Sequence, residues 1–268
     1  MTGKERRMRR LFRGPDHRCL MVPLDHGSWL GPIKGIDQLL PTVQQVLAGG
    51  ANALLVSPGV ARLVQPITDP AVGLVLRVSL TLGLAPEARQ ETPVATVETA
   101  LRLDTDAVAV SIFFGRGGEV ETMRFLGGLT ERCQRFGMPV LAEMMPSEDQ
   151  AYQPASIAHA ARIGFEMGAD IIKTNYCGNI EAFRHVVASS PIPIVVAGGP
   201  NRAEGGGDTL QIVRDVVAAG AAGVAIGRRV WQDSDPQRLV REMHSILFPD
   251  ATPHNPPRSG RGEGGGYG

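Results

Sequence analysis

The chain has 268 residues, 43% apolar and 20% charged, enough to bury a sizeable core in one large domain or two small ones. Its 27 Lys and Arg balance 27 Asp and Glu, so nothing in the charge calls for nucleic acid or an anionic membrane as partner. No apolar run reaches the roughly 18 residues of a membrane span, no signal-peptide-length stretch follows the basic start, and Cys19, Cys133 and Cys177 lack paired spacing. The expectation is a cytoplasmic α/β protein with reduced thiols.

Residues 1–12 read as a short helix that caps one end of the fold. Short apolar runs then recur along the chain: CLMVPL (19–24), ALLVS (53–57), GLVLRVS (73–79), AVAVSI (107–112), PVLAEMM (139–145), DIIKT (170–174), IPIVVA (192–197) and AGVAIG (222–227). None has a polar face, as strands of a parallel sheet covered on both sides require. Helical spacing separates them, for example over 36–47, 120–136, 157–167, 180–187 and 210–218. Gly- and Ala-rich helix ends lead into the second, sixth and eighth runs (AGGANALLV, EMGADIIKT, AAGAAGVAIG), and LRLDTDAVAVSI before the fourth is a degenerate copy. Eight such units in roughly 250 residues close into a (β/α)8 barrel, a TIM barrel. A doubly wound open sheet is the rival, and the GxGxxG turn that would favour it is missing after the first run. The barrel domain is expected over 1–248. Residues 249–268, crowded with Gly and Pro, read as a flexible tail.

Barrel chemistry sits at the C-terminal ends of the strands and in the loops that follow. Polar residues at such places are Asp25 and His26, Glu143, and Lys173. In DIIKTNY the alternation puts Ile171, Lys173 and Asn175 on one side. An ordinary lysine is a free amine in only about one copy in 2500 at pH 7, and burial raises that fraction. Lys173 therefore reads either as a Schiff-base nucleophile or as half of a buried ion pair with Asp25 or Glu143. Gly198 and Gly199 end the seventh run, and Gly227 with Arg228 ends the eighth, where barrels commonly bind phosphate. GGGD (205–208) is a further glycine cluster.

The remaining candidates each carry two readings. Asp25 is an acid–base group, an orienter of Lys173, or a loop cap. His26 shuttles protons or bonds a strand end. Arg77 binds an anion or pairs with a carboxylate. Tyr176 and Tyr152 are phenolic proton donors or amphipathic rim residues, and Met144 and Met145 read as packing. The other histidines are scattered, so neither a multi-histidine metal site nor any cofactor is expected.

Taken in order, VPLDHG, GPIKG, GGANALLVSPGVAR, EMGADIIKTNY, VVAGGP and AGVAIGRRVWQ resemble the archaeal-type class I aldolases over about residues 8–245. That family includes fructose-bisphosphate aldolases and 2-amino-3,7-dideoxy-D-threo-hept-6-ulosonate synthases, and GPIKG and GGANA are most similar to the latter. The resemblance implies a Schiff base on Lys173, an acid–base Asp25, and a phosphate site at Gly198, Gly199, Gly227 and Arg228. It also implies a homo-oligomeric ring. In one place the chain departs from the pattern. Where the family has Tyr-Pro-Arg-Gly after the fifth strand, with a catalytic tyrosine, this chain has MMPSED (144–149), so Met145 stands for the tyrosine. A thioether transfers no proton. Glu143, Asp25, Tyr176 or water takes over, or the reaction differs.

Three functions follow. The first is an aldolase joining a phosphorylated ketone such as dihydroxyacetone phosphate to an aldehyde such as L-aspartate semialdehyde, or acting on fructose bisphosphate. The second is a thiolase-like acyl transfer on a related phosphorylated ketone. The third is a silent phosphate-binding barrel.

Overall fold

The computed structural model describes residues 1–85, 89–199 and 208–250. In chain order, α1 (Gly3–Leu11) precedes β1 (Cys19–Pro23), α2 (Gly27–Leu30) and α3 (Leu39–Ala48). There follow β2 (Ala53–Val56), α4 (Pro58–Val64), β3 (Gly73–Arg77) and a hairpin of β4 (Ser79–Leu82) and β5 (Gln90–Pro93). Then come α5 (Val97–Arg102), β6 (Ala107–Phe113), α6 (Glu119–Phe136), β7 (Val140–Met145), α7 (Pro154–Glu166), β8 (Ile171–Asn175) and α8 (Ile180–Ala188). The chain closes with β9 (Ile194–Ala197), α9 (Thr209–Ala218), β10 (Gly223–Ala225), α10 (Arg228–Trp231) and α11 (Pro236–Leu247). Eight strands form a closed barrel in the order β1-β10-β9-β8-β7-β6-β3-β2, every neighbouring pair parallel.

Each of the eight apolar runs is a barrel strand. The helix expected over 36–47 starts later, at Leu39, because Pro41 has no N–H and is tolerated only in a helix's first turn. Asn179, Asp208 and Asp235 start α8, α9 and α11 by accepting the backbone N–H of Ala182, Leu210 and Arg238. The antiparallel hairpin of β4 and β5 is an addition to the eight expected units. Its first strand alternates Ser79 and Thr81 with Leu80 and Leu82, and its second, QETP, is polar, so no continuous apolar run marks it.

Two apolar clusters follow from the alternation. One set of strand residues, including Leu20, Leu54, Leu76, Val108, Ile172 and Val196, packs outward against the helices. The other set fills the barrel: Met21, Leu55, Val75, Ala109, Leu141, Ile171 and Val195, closed from below by Leu11 and Phe12. The helix α1, started by a Thr2–Glu5 capping box, therefore plugs the N-terminal end of the barrel. Asn52 fastens it, donating to the Leu11 carbonyl at 2.8 Å and accepting from the Leu20 N–H at 2.6 Å. Gly73 permits the approach, since a Cβ there would lie 2.6 Å from Leu11 Cδ2. Glycines 205–207 and residues 251–268, where part of a glycine cluster and most of a flexible tail were expected, lie outside the described residues.

Candidate active site at the C-terminal end of the barrel

One alternation step above the apolar interior, the inward residues turn polar. Ser111, Glu143 and Lys173 are register partners on β6, β7 and β8. The Lys173 Nζ donates to Glu143 Oε1 at 2.6 Å, and Arg77 Nη2 and Ser111 Oγ each donate to Glu143 Oε2 at 2.6 Å. Arg77 continues the chain of charges, its Nε 3.0 Å from Asp25 Oδ2. All four ionic side chains are buried. Of the two readings of Lys173, the ion pair is what the resting site contains, and Glu143 is the partner. Arg77 likewise pairs with carboxylates, two of them, while its buried Nη1 has no hydrogen-bond partner among the described residues.

The electrostatics follow from burial opposed by charge. Burial is the largest single influence on Glu143 and pushes its carboxyl up. Lys173 and Arg77, with hydrogen bonds from Lys173 and Ser111, outweigh it and hold the group well below the ordinary carboxylate range. Burial likewise disfavours charge on Arg77, and Glu143 and Asp25 overcome it, so the guanidinium stays charged. His26 has no such compensation. Burial lowers it to about 4 despite Asp25, so the imidazole is neutral at pH 7 and its 3.4 Å contact with Asp25 is not an ion pair there. Its ring lies edge-on to Trp231, centroids 5.5 Å apart, and the Trp231 indole N–H donates to the Pro23 carbonyl at 3.1 Å.

The glycines end the neighbouring strands. Gly199 has a φ of 65°, a left-handed conformation that glycine adopts freely. At Gly227 a Cβ would lie 2.6 Å from the Pro23 carbonyl oxygen and 3.0 Å from His26 Cε1. Gly198 lies against Ile226 and accepts from Arg229 Nε at 2.6 Å. Arg228 stacks on Trp29, its Cζ 5.6 Å from the ring centroid. Burial lowers its pKa, with Glu143 and Tyr152 acting in the opposite sense. The two tyrosines part company here. The Tyr152 hydroxyl is beside Gly199, 3.7 Å from where a Cβ there would lie.

Tyr176 is a correction. It follows β8 with its ring packed edge-on to Phe183 on α8 and its hydroxyl donating to Asp215 Oδ2 on α9 at 3.2 Å. Burial and Asp215 raise its pKa, and it joins two outer helices instead of facing Lys173. Alternation explains this, because Tyr176 is of opposite parity to Lys173.

Among the described residues no three His, Cys, Asp or Glu side chains converge as metal ligands. No described helix is long and apolar enough to cross a membrane.

The DeoC/LacD family aldolase model matches residues 19–233, from the first barrel strand to just past the last. The chain belongs to the DeoC/LacD aldolase family. The aldolase is 36% identical over 255 residues to the 2-amino-3,7-dideoxy-D-threo-hept-6-ulosonate synthase of Halobacterium salinarum, covering 94% of each chain. It is 37% identical over 247 residues to synthase 1 of that name from Archaeoglobus fulgidus, covering 92% of each. Its fold superposes with a TM-score of 0.80 on an archaeal fructose-1,6-bisphosphate aldolase whose catalytic lysine is covalently bound to a carbinolamine intermediate of the substrate. That structure is 26% identical, over 92% of this chain and 99% of the other.

Sequence reasoning missed several residues at this aldolase's mouth. Ser111 was legible, the next member of the alternation that runs through Ala107 and Ala109. Glu91, Arg89 and Trp29 carried no such signal. The hairpin folds Glu91 over the site, where it accepts from Ser79 at 2.5 Å and Thr81 at 2.8 Å. Burial raises its pKa against the opposing charge of Arg77.

Proposed function

We propose that this aldolase joins a phosphorylated ketone such as dihydroxyacetone phosphate to an aldehyde such as L-aspartate semialdehyde through a Schiff base on Lys173, giving an amino-heptulosonate-type phosphate. The observation that carries the reading is the buried amine of Lys173, on the barrel's inner wall at the strands' C-terminal end, one strand away from the glycine loop of β9. A protonated amine does not attack a carbonyl, so Nζ first gives up a proton, and Glu143 Oε1 at 2.6 Å is the nearest acceptor described. The amine adds to the ketone, Glu143 returns its proton to the carbinolamine hydroxyl, water leaves, and a positive iminium replaces the ammonium opposite the same carboxylate. Glu143 therefore supports a counter-ion role that needs no rearrangement between the two cations.

A proton then leaves the adjacent carbon, the enamine carbon attacks the aldehyde, the alkoxide takes up a proton, and water releases the product. Asp25, with neutral His26 beside it, is the proton-handling group we assign. Arg77 contacts both carboxylates and, with Lys173, holds Glu143 ionised. Gly198, Gly199, Gly227 and Arg228 would receive the phosphate, the glycines by open backbone and Arg228 by charge. Met145 favours a second reading, acyl transfer on a related phosphorylated ketone, because that route makes no demand on a tyrosine at this position. Assaying aldol formation against acyl transfer to coenzyme A separates the two.

Borohydride added with dihydroxyacetone phosphate should leave a reduced adduct on Lys173, located by mass spectrometry. Lys173→Met should form none and lose about 10,000-fold or more in kcat. An adduct on another residue, or an active Lys173→Met variant, would overturn the reading. We further infer ring assembly; sedimentation should give a species several times the 28.5 kDa chain mass.

A further inference from the structure

Beside the phosphate loops, a second guanidinium overhangs the mouth. Arg89 immediately precedes β5, two residues before Glu91, and so shares the face of the hairpin that Glu91 turns toward Ser79, Thr81 and Arg77. From there it reaches Trp29, which follows β1 on α2. The Arg89 Cζ lies 5.4 Å from the Trp29 ring centroid, and that of Arg228, arriving from the opposite side of the chain's topology after β10, lies 5.6 Å from the same ring.

Neither guanidinium has a carboxylate or carbonyl partner among the described residues, and the buried Nε of Arg89 has no hydrogen-bond partner at all there. The acid on its own strand is already committed, since Glu91 accepts from two hydroxyls. Arginine on an aromatic face keeps its in-plane N–H groups free, and its planar fork matches the two oxygens of a carboxylate. Arg228 adjoins the glycines that suit a phosphate. Among the described residues Arg89 has no such backbone cradle, only the planar fork.

We propose that Arg89 is a specificity-determining residue: oriented by Trp29, it binds a carboxylate on the aldehyde substrate while Arg228 and the glycine loops bind the phosphate of the ketone. The assignment rests on the aldolase reading above and deepens it. The two anionic ends of the joined product are then held by two arginines that share one indole, which selects acceptors that carry a carboxylate over neutral aldehydes of the same length.

The test uses the full-length enzyme with dihydroxyacetone phosphate as donor and 4-oxobutanoate, butanal and glyceraldehyde 3-phosphate as acceptors. In Arg89→Gln the preference for 4-oxobutanoate over butanal, taken as the ratio of kcat/KM values, should fall about 10- to 100-fold. Arg89→Lys should recover part of it, and the borohydride adduct on Lys173 should form in both variants. An unchanged ratio, an equal loss with both aldehydes, or a loss confined to glyceraldehyde 3-phosphate would overturn the assignment. Should wild-type enzyme form no adduct, the Schiff-base reading fails separately. Calorimetric titration with 4-oxobutanoate then still decides the role of Arg89, with a Kd about 10-fold or more weaker in Arg89→Gln supporting it and an equal Kd overturning it.

Discussion

The lower and upper parts of the barrel interior are built from the same strands and differ in everything else. Leu141 and Ile171 lie two residues before Glu143 and Lys173 on β7 and β8, about 7 Å along each strand. Below, Met21, Leu55, Val75, Leu141, Ile171 and Val195 pack on one another and on the Leu11–Phe12 plug. Their attraction is non-directional, and neighbours of similar volume would serve. Above, Asp25, Arg77, Glu143 and Lys173 depend on one another's charge, so the loss of one removes a charge partner from a buried neighbour. The lower layers hold the barrel closed. The upper layer spends part of that stability on an arrangement of charge suited to an amine nucleophile.

The sharpest way to break this comparison is Glu143→Leu, which leaves Arg77 and Lys173 without their shared carboxylate. Urea unfolding should show a loss of about 3–5 kcal/mol, and Glu143→Gln should cost less. An unaffected midpoint in Glu143→Leu would mean the upper layer is not the interdependent unit described. The counterpart below is Leu11→Ala, expected to cost about 2–5 kcal/mol by opening a cavity under the plug while leaving kcat per folded molecule unchanged. A fall in kcat there would show that the two layers are coupled.

A third test uses pH. His26 is held at about 4 against an ordinary 6.5, so above pH 6.5 it is neutral whether the chain is folded or not. As pH falls from about 6.5 to about 4 the unfolded chain takes up a proton that the folded chain refuses. Stability therefore declines across that window, by at most about 3 kcal/mol. The decline in urea midpoints should be shallower in His26→Asn by that amount, and an identical slope would contradict the burial argument. The smallest effect belongs to Tyr176→Phe. It should cost about 1 kcal/mol through the lost bond to Asp215 and leave the pH–rate profile unmoved. A shifted profile would return Tyr176 to the catalytic set.

Where the sequence was informative, the reason was local. Eight apolar runs with no polar face mark strands covered on both sides, and the shared parity of Ile171 and Lys173 turns the lysine inward once Ile171 lines the interior. The same parity rule, applied one residue beyond β8, turns Tyr176 outward against Asp215. Asp25, Glu143 and Arg77 were legible as polar groups ending apolar strands and as possible ion-pair partners, but which pairs with which was not, because it depends on the relative stagger of strands β1, β3, β7 and β8.

Only the tertiary structure decided what lies over the mouth. Glu91 and Arg89 reach it because a polar hairpin folds back after β3, and Trp29 stands between two arginines 139 positions apart in the chain. Such contacts leave no periodic trace, since a closed barrel brings its first and last strands together however many residues separate them. The sequence alone determined the barrel, the shared side of Ile171 and Lys173 and the glycine-ended strands, through hydrophobic periodicity and backbone sterics. Closure of the sheet then determined which charges meet, because the energy of an ion pair depends on distances that no short stretch of chain contains.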